Sequence, residues 1–113
     1  MSSTAVARNL EDLYKQGGLK GTDIANFVNV SRPTVSRWSS GISTPPIRTQ
    51  TIIADLRYVV DRLSDLYAPD EIRLWLYAKQ PLLNHQRAVD LILDDRSEEV
   101  LTLIERLDAG AYL

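Results

Sequence analysis

The residues best placed to do chemistry in this chain are two arginines and a row of hydroxyls. Arg32 and Arg37 fall among Ser31, Thr34, Ser36 and Ser40 in the stretch "SRPTVSRWSS". Laid on a helix at about 100° per residue, Val35 and Trp38 share one side. Pro33, Ser36, Arg37 and Ser40 point away, with Arg32 and Thr34 on the flanks. Such a face offers what a duplex accepts: arginine forks for guanine, hydroxyls for bases, and both for phosphates. Candidate DNA-binding residues are therefore Ser31, Arg32, Thr34, Ser36, Arg37 and Ser40. A solvated polar face is the plain alternative.

Other chemistry is sparse. The single histidine, His85, sits in the polar connector "KQPLLNHQ". A general base needs an orienting partner, and none is identifiable, so His85 reads as an ordinary loop histidine. Asp94, Asp95, Glu98 and Glu99 read as acids favoured at a helix start rather than as a cation site. With no cysteine and no glycine-rich phosphate loop, thiol chemistry and nucleotide cradling are excluded. The reading is of a non-enzyme without cofactor or metal. Asn29-Val30-Ser31 matches a glycosylation acceptor, but "MSSTAVARNLEDLYK" lacks the layout of an export signal, so the match reads as chance.

The elements that must position this face are helices. Residues 4–15 carry Val6, Leu10, Leu13 and Tyr14 at spacings of three and four. After "QGGLKG", Thr22 is expected to cap a second helix through Val28. Ser31 is expected to cap a third, with Pro33 in its first turn. Ile24, Ala25, Val28, Val30, Val35 and Trp38 supply the inward side of a two-helix corner. Asn29 stands where a left-handed residue is needed. This is the pattern of a helix-turn-helix. The breaker cluster "SSGISTPP" is the expected linker.

Next comes "TQTIIADLRYVVDRLSDLY", with Ile52, Leu56, Val59, Leu63 and Leu66 spaced four, three, four and three. That heptad-like seam predicts a dimerisation helix. Pro69 opens a further helix, with Ile72, Trp75 and Leu76 on one face. "RAVDLILDD" and "SEEVLTLIERLDAG" read as two final helices, the second with a weak capping signal at Ser97. The fold class is all-α, with no strand expected. The expected units are a helix-turn-helix domain at 1–45, a connecting and dimerisation helix at 46–68, and a C-terminal domain at 69–113.

Composition agrees with that plan. Of 113 residues, 44% are hydrophobic and 25% charged, the balance of a water-soluble globular chain. No apolar run reaches the roughly 18 residues of a membrane span, so a cytoplasmic location without membrane contact is expected. The formal net charge of −2 conceals a polarity, +2 over residues 1–45 and −4 over the rest. A basic head on an acidic body suits a nucleic-acid end joined to a protein-binding end.

The order of motifs resembles a known family. "LWLYAKQPLL", "RAVDLIL" and "VLTLIERLDAGAYL" follow the helix-turn-helix pattern and the long helix. Trp75-Leu76, Pro81 to Asn84, Arg87 to Ile92 and Val100 to Gly110 match in order the C-terminal motifs of the Xre/MbcA/ParS family, the antitoxins of RES–Xre toxin–antitoxin pairs. One departure is Val89, where the family usually has a helix-starting proline. The resemblance covers nearly the whole chain. It implies a cognate RES-domain toxin that consumes NAD⁺, its cleft covered by the antitoxin's C-terminal domain and tail, and repression of the antitoxin's own operon. Trp75, Arg106, Gly110, Ala111, Tyr112 and Leu113 are the candidate toxin-binding residues. Gly110 suits a helix end, and Tyr112 and Leu113 are side chains that invite burial in a partner. Folding back onto Trp75 or Leu103 is the other expectation for that tail. The expected partners are the toxin, operator DNA and a second copy of the chain within a larger complex. The rival reading is a stand-alone dimeric helix-turn-helix regulator whose C-terminal domain binds a small effector.

Overall fold

The computed structural model describes residues 2–110, with side chains from residue 5 onward. Its helices are α1 (Ser2–Gln16), α2 (Gly21–Val28), α3 (Arg32–Ser39), α4 (Ile47–Leu63), α5 (Pro69–Tyr77), α6 (Ala88–Leu93) and α7 (Ser97–Asp108). The fold is all-α apart from one minute hairpin. Two-residue strands β1 (Lys79–Gln80) and β2 (Gln86–Arg87) pair antiparallel, Lys79 against Arg87 and Gln80 against Gln86, around a 3₁₀ turn at Pro81–Leu83. This corrects the expectation of a strandless connector. Strands this short leave no alternating pattern to read. What closes the loop is a pair of left-handed residues, Asn84 (φ 57°) and His85 (φ 63°).

Local chemistry explains most of the helix ends. Ser31 caps α3, its Oγ accepting the Thr34 N–H at 3.3 Å, and Pro33 sits in the first turn. The cap of α2 differs from expectation. The helix begins at Gly21 with Lys20 as its extended cap residue, and Thr22 lies inside the first turn. The Asp23 carboxylate reaches back to accept the Lys20 N–H at 2.8 Å, which fixes the start two residues earlier than a Thr22 cap would. Glu71 does the same for Ala68 at the start of α5, also at 2.8 Å. At α7 the cap residue is Arg96, not Ser97, and Arg96 pairs with Glu99 at 2.8 Å. Asn29, left-handed at φ 59°, turns α2 into α3. Gly110, at φ 71°, follows the end of α7.

One hydrophobic core runs from Val6 to Ile104. Helix α4 is its spine, burying Ile52, Ile53, Leu56, Val59, Val60 and Leu63. Helix α1 packs along one side through Val6, Leu10 and Leu13, while α6 and α7 pack against α4 as well. The expected dimerisation seam is thereby corrected. Ile52, Leu56, Val59 and Leu63 are at most 8% exposed within a single chain, and Leu66 is partly buried against the same core. The heptad-like spacing reports burial on two sides by the chain's own helices, so the seam is not a surface that a second copy can reach. Among the described residues, no helix is long and apolar enough to cross a membrane.

Candidate functional site

The face built by α3 is a polar surface on a buried apolar back. Arg32, Ser36, Arg37 and Ser40 are exposed and Thr34 is half-buried, while Val35 and Trp38 lie in the core. Tyr14 of α1 bonds Ser39 through the two hydroxyl oxygens at 2.9 Å, which ties the back of α3 to the first helix. The hydroxyls are not all free to read a ligand. Ser31 and Thr34 are bonded oxygen to oxygen at 2.8 Å, and the Arg37 guanidinium donates to Thr34 Oγ1 at 3.3 Å. Ser40 Oγ donates back to the Arg37 carbonyl at 3.2 Å. These bonds hold Arg37 in place rather than meet a ligand themselves. Neither Arg32 nor Arg37 has a carboxylate partner among the described residues. Together with Pro33, Ser36, Ser40 and Ile42 they line an open groove of about 500 Å³. A second groove of about 420 Å³ runs behind Arg32, past Lys20, Gly21 and Tyr14.

Helix α2, against which α3 packs, is held to the C-terminal half by a clasp that the sequence does not advertise. Arg73 of α5 donates to Asp23 of α2 through both nitrogens, Nη2 to Oδ1 at 2.8 Å and Nε to Oδ2 at 3.3 Å. The guanidinium of Arg73 also lies 5.2 Å from the centre of the Tyr77 ring, and that of Arg87 lies 5.8 Å from the same ring. Arg87 in turn grips Asp90 with two bonds of 2.9 Å. The hydrogen bond from Arg73 holds the Asp23 carboxyl below its ordinary pKa. Partial burial opposes this, and the Lys20 N–H assists it. Burial, and then the Asp23 charge, push the Tyr77 phenol up, against the pull of the two arginines. No spacing rule links positions 23 and 73, which is why sequence reasoning missed the clasp.

The C-terminal candidates are more dispersed. Trp75 is half-buried against the core, and its carbonyl accepts from the Gln80 amide at 3.1 Å. Arg106 is exposed on the last turn of α7. Gly110 is at the helix end as expected, while Ala111, Tyr112 and Leu113 lie outside the described residues. Val89, where the resembling family carries proline, is buried in the first turn of α6. His85 is exposed in the hairpin turn. Between α4 and α7 an open cleft of about 540 Å³ is lined by Thr51, Asp55, Asp95, Arg96, Ser97, Glu98 and Glu99. Burial and the nearby Asp95 raise the Asp55 pKa. No group of three metal-ligating side chains occurs among the described residues.

No family model matches the chain. Among curated proteins it is 36% identical over 107 residues to a probable mycobacterial cidal antitoxin of Mycobacterium tuberculosis, covering 95% of this chain and 91% of that protein. The chain belongs to the mycobacterial cidal antitoxin family. The family antitoxin MbcA of M. tuberculosis and of Mycobacterium bovis aligns over the full length of both partners at 26% identity. A chain from the crystal structure of the M. tuberculosis MbcT–MbcA toxin–antitoxin complex superposes with a TM-score of 0.83 at 26% identity, covering 95% of this chain and 96% of that one. The resemblance read from motif order is thus borne out, and this antitoxin-family chain is not an enzyme. Because the likeness spans both halves, the α3 face and the C-terminal helices belong to one shared architecture.

Proposed function

We propose that the chain is the antitoxin of a toxin–antitoxin pair. It binds a cognate RES-domain, NAD⁺-consuming toxin with its C-terminal part and represses its own operon through the α3 face. The observation that carries this reading is the end-to-end likeness to MbcA, whose crystal structure is that of a complex with the toxin MbcT. In this reading residues 69–113 are the toxin-binding unit and Trp75, Arg106 and Gly110 belong to its contact surface. Ala111, Tyr112 and Leu113 enter the toxin's cleft. Two unpaired arginines over an open groove support the DNA role. The effector-binding alternative gains nothing from the cleft between α4 and α7, since its lining is mainly acidic rather than apolar with a few placed polar groups.

The test is to express the open reading frame beside this gene alone and together with this chain. The neighbour alone should arrest growth and deplete NAD⁺; co-expression should restore both, and the two proteins should purify as one complex. A neighbour that stays toxic in the presence of a soluble, folded antitoxin sinks the proposal. Removing residues 111–113 should return NAD⁺ consumption while leaving the melting temperature within a few degrees of the full chain, because terminal residues add little to stability unless tied down. Full silencing by the shortened chain removes the tail from the inhibitory surface.

A further inference from the structure

Ile42 is 75% exposed, yet it is not on a loose loop. Its N–H donates to the Arg37 carbonyl at 2.9 Å and the Ser43 N–H to the same oxygen at 3.4 Å. Gly41, at φ 79°, reverses the chain, and its N–H donates to the Trp38 carbonyl at 3.1 Å. The backbone of Ile42 is therefore fastened to the last turn of α3, at the residue whose guanidinium stands in the groove. Ile42 lines that groove with Arg32, Ser36 and Arg37. A single exposed isoleucine is ordinary on a surface. One anchored in a groove that two guanidiniums without carboxylate partners also line marks a specific occupant, a polyanion with an apolar point.

Duplex DNA has both. Its phosphates meet the arginines, and in the major groove each thymine presents a C5-methyl group beside the hydrogen-bonding edges of its neighbours. A helix with its side chains is about 10–12 Å across, close to the width of that groove, and α3 presents its polar side at the surface. We propose that Ile42 is a base-reading residue that packs on a thymine methyl next to the base met by Arg37. This rests on the DNA-binding part of the function proposed above, and extends it from charge and hydrogen bonding to a hydrophobic contact supplied from outside the helix.

The probe is a duplex taken from the DNA upstream of the chain's own gene, with thymines replaced one position at a time by deoxyuridine. That change keeps base pairing and removes only the methyl. At one thymine position, wild-type binding should fall about fourfold, the worth of one buried methyl. At that position Ile42→Ala should bind unmodified and uracil-bearing duplexes alike, while Ile42→Val keeps the discrimination. Circular dichroism melts of both variants should match wild type, since the side chain is mostly in water. Wild type that binds the duplex with no uracil effect at any position overturns the inference and spares the DNA reading. Absence of binding even at low salt overturns both. If Ile42→Ala instead halves the mass of the free protein, the residue is a contact between copies and the inference is wrong.

Discussion

Arg37 and Asp23 show how differently two charged residues of one small unit are employed. Arg37 is held by Thr34 but faces no carboxylate, so its value lies in what it meets from outside. Arg37→Ala should weaken binding to the upstream duplex by about 1–3 kcal/mol if the fork meets a guanine, and should leave stability nearly unchanged. Arg32→Ala should weaken all duplexes alike and flatten the salt dependence, the mark of a phosphate contact. Gel-shift titrations at two salt concentrations separate the two patterns. Asp23 works internally. Arg73→Ala removes its partner and should cost about 1–2 kcal/mol in urea denaturation, the lower part of the range for charged hydrogen bonds, because Arg73 is 43% exposed. The Asp23 pKa is depressed in the fold, so the clasp stabilises above the unfolded carboxyl value of about 3.9 and its contribution fades as pH falls through the lower folded value. The gap between wild type and Arg73→Ala should be wide at neutral pH and close under strong acid. Asp55 has the opposite sign. Its raised pKa means that ionisation costs stability as pH rises through the folded value, so Asp55→Asn should stabilise at neutral pH and lose that advantage in acid.

At the scale of elements, the chain passes closely where the loop after α1 meets the start of α5. Gly18 has φ +64°, and a Cβ there would stand 2.6 Å from the Pro69 carbonyl oxygen, a backbone atom that cannot swing aside. Gly18→Ala should therefore cost more than the ~1–2 kcal/mol of left-handed strain alone, read as a lowered melting temperature. Helix α4 carries a second expectation. Leu56→Ala and Leu63→Ala should each cost about 2–5 kcal/mol, with no change in the mass of whatever remains folded, because both side chains are sealed in the chain's own core. The helices themselves were legible in the sequence, since periodicity, Ser31, Pro33, Asn29, Pro69 and Gly110 all act locally. The seam was legible as apolar but not as to its occupant. A spacing of four and three says that a stripe is covered, and both a partner helix and one's own helices cover it equally well. The start of α2 was misplaced because Asp23 caps from inside the helix, a reciprocal bond that a search for a leading hydroxyl overlooks.

Across the whole molecule, the basic head and acidic body read from the sequence turn out to share a single core. The polar face of α3 was legible because a wheel sorts Val35 and Trp38 from Arg37 and Ser36. What could not be read was which hydroxyls were already engaged, or that Ile42 is fastened beside them. The first depends on side-chain bonds within α3 and its cap, the second on backbone bonds across its terminus, and the Arg73 clasp on α5 lying within reach of α2, which no local pattern encodes. The molecule measures 47 Å by 23 and 22 Å, and α4, about 25 Å of helix, packs against helices of both halves. Cutting the chain in the exposed loop near Gly41 would therefore not release a free head. The two fragments should stay together through a gel-filtration column, and amide exchange should reveal one cooperative unit whose slowest protons lie in α4. In this antitoxin α3 rests on α1 and α2, α1 rests on α4, and α4 also backs α6 and α7, so a change that unfolds α4 should remove the proposed duplex and toxin contacts together.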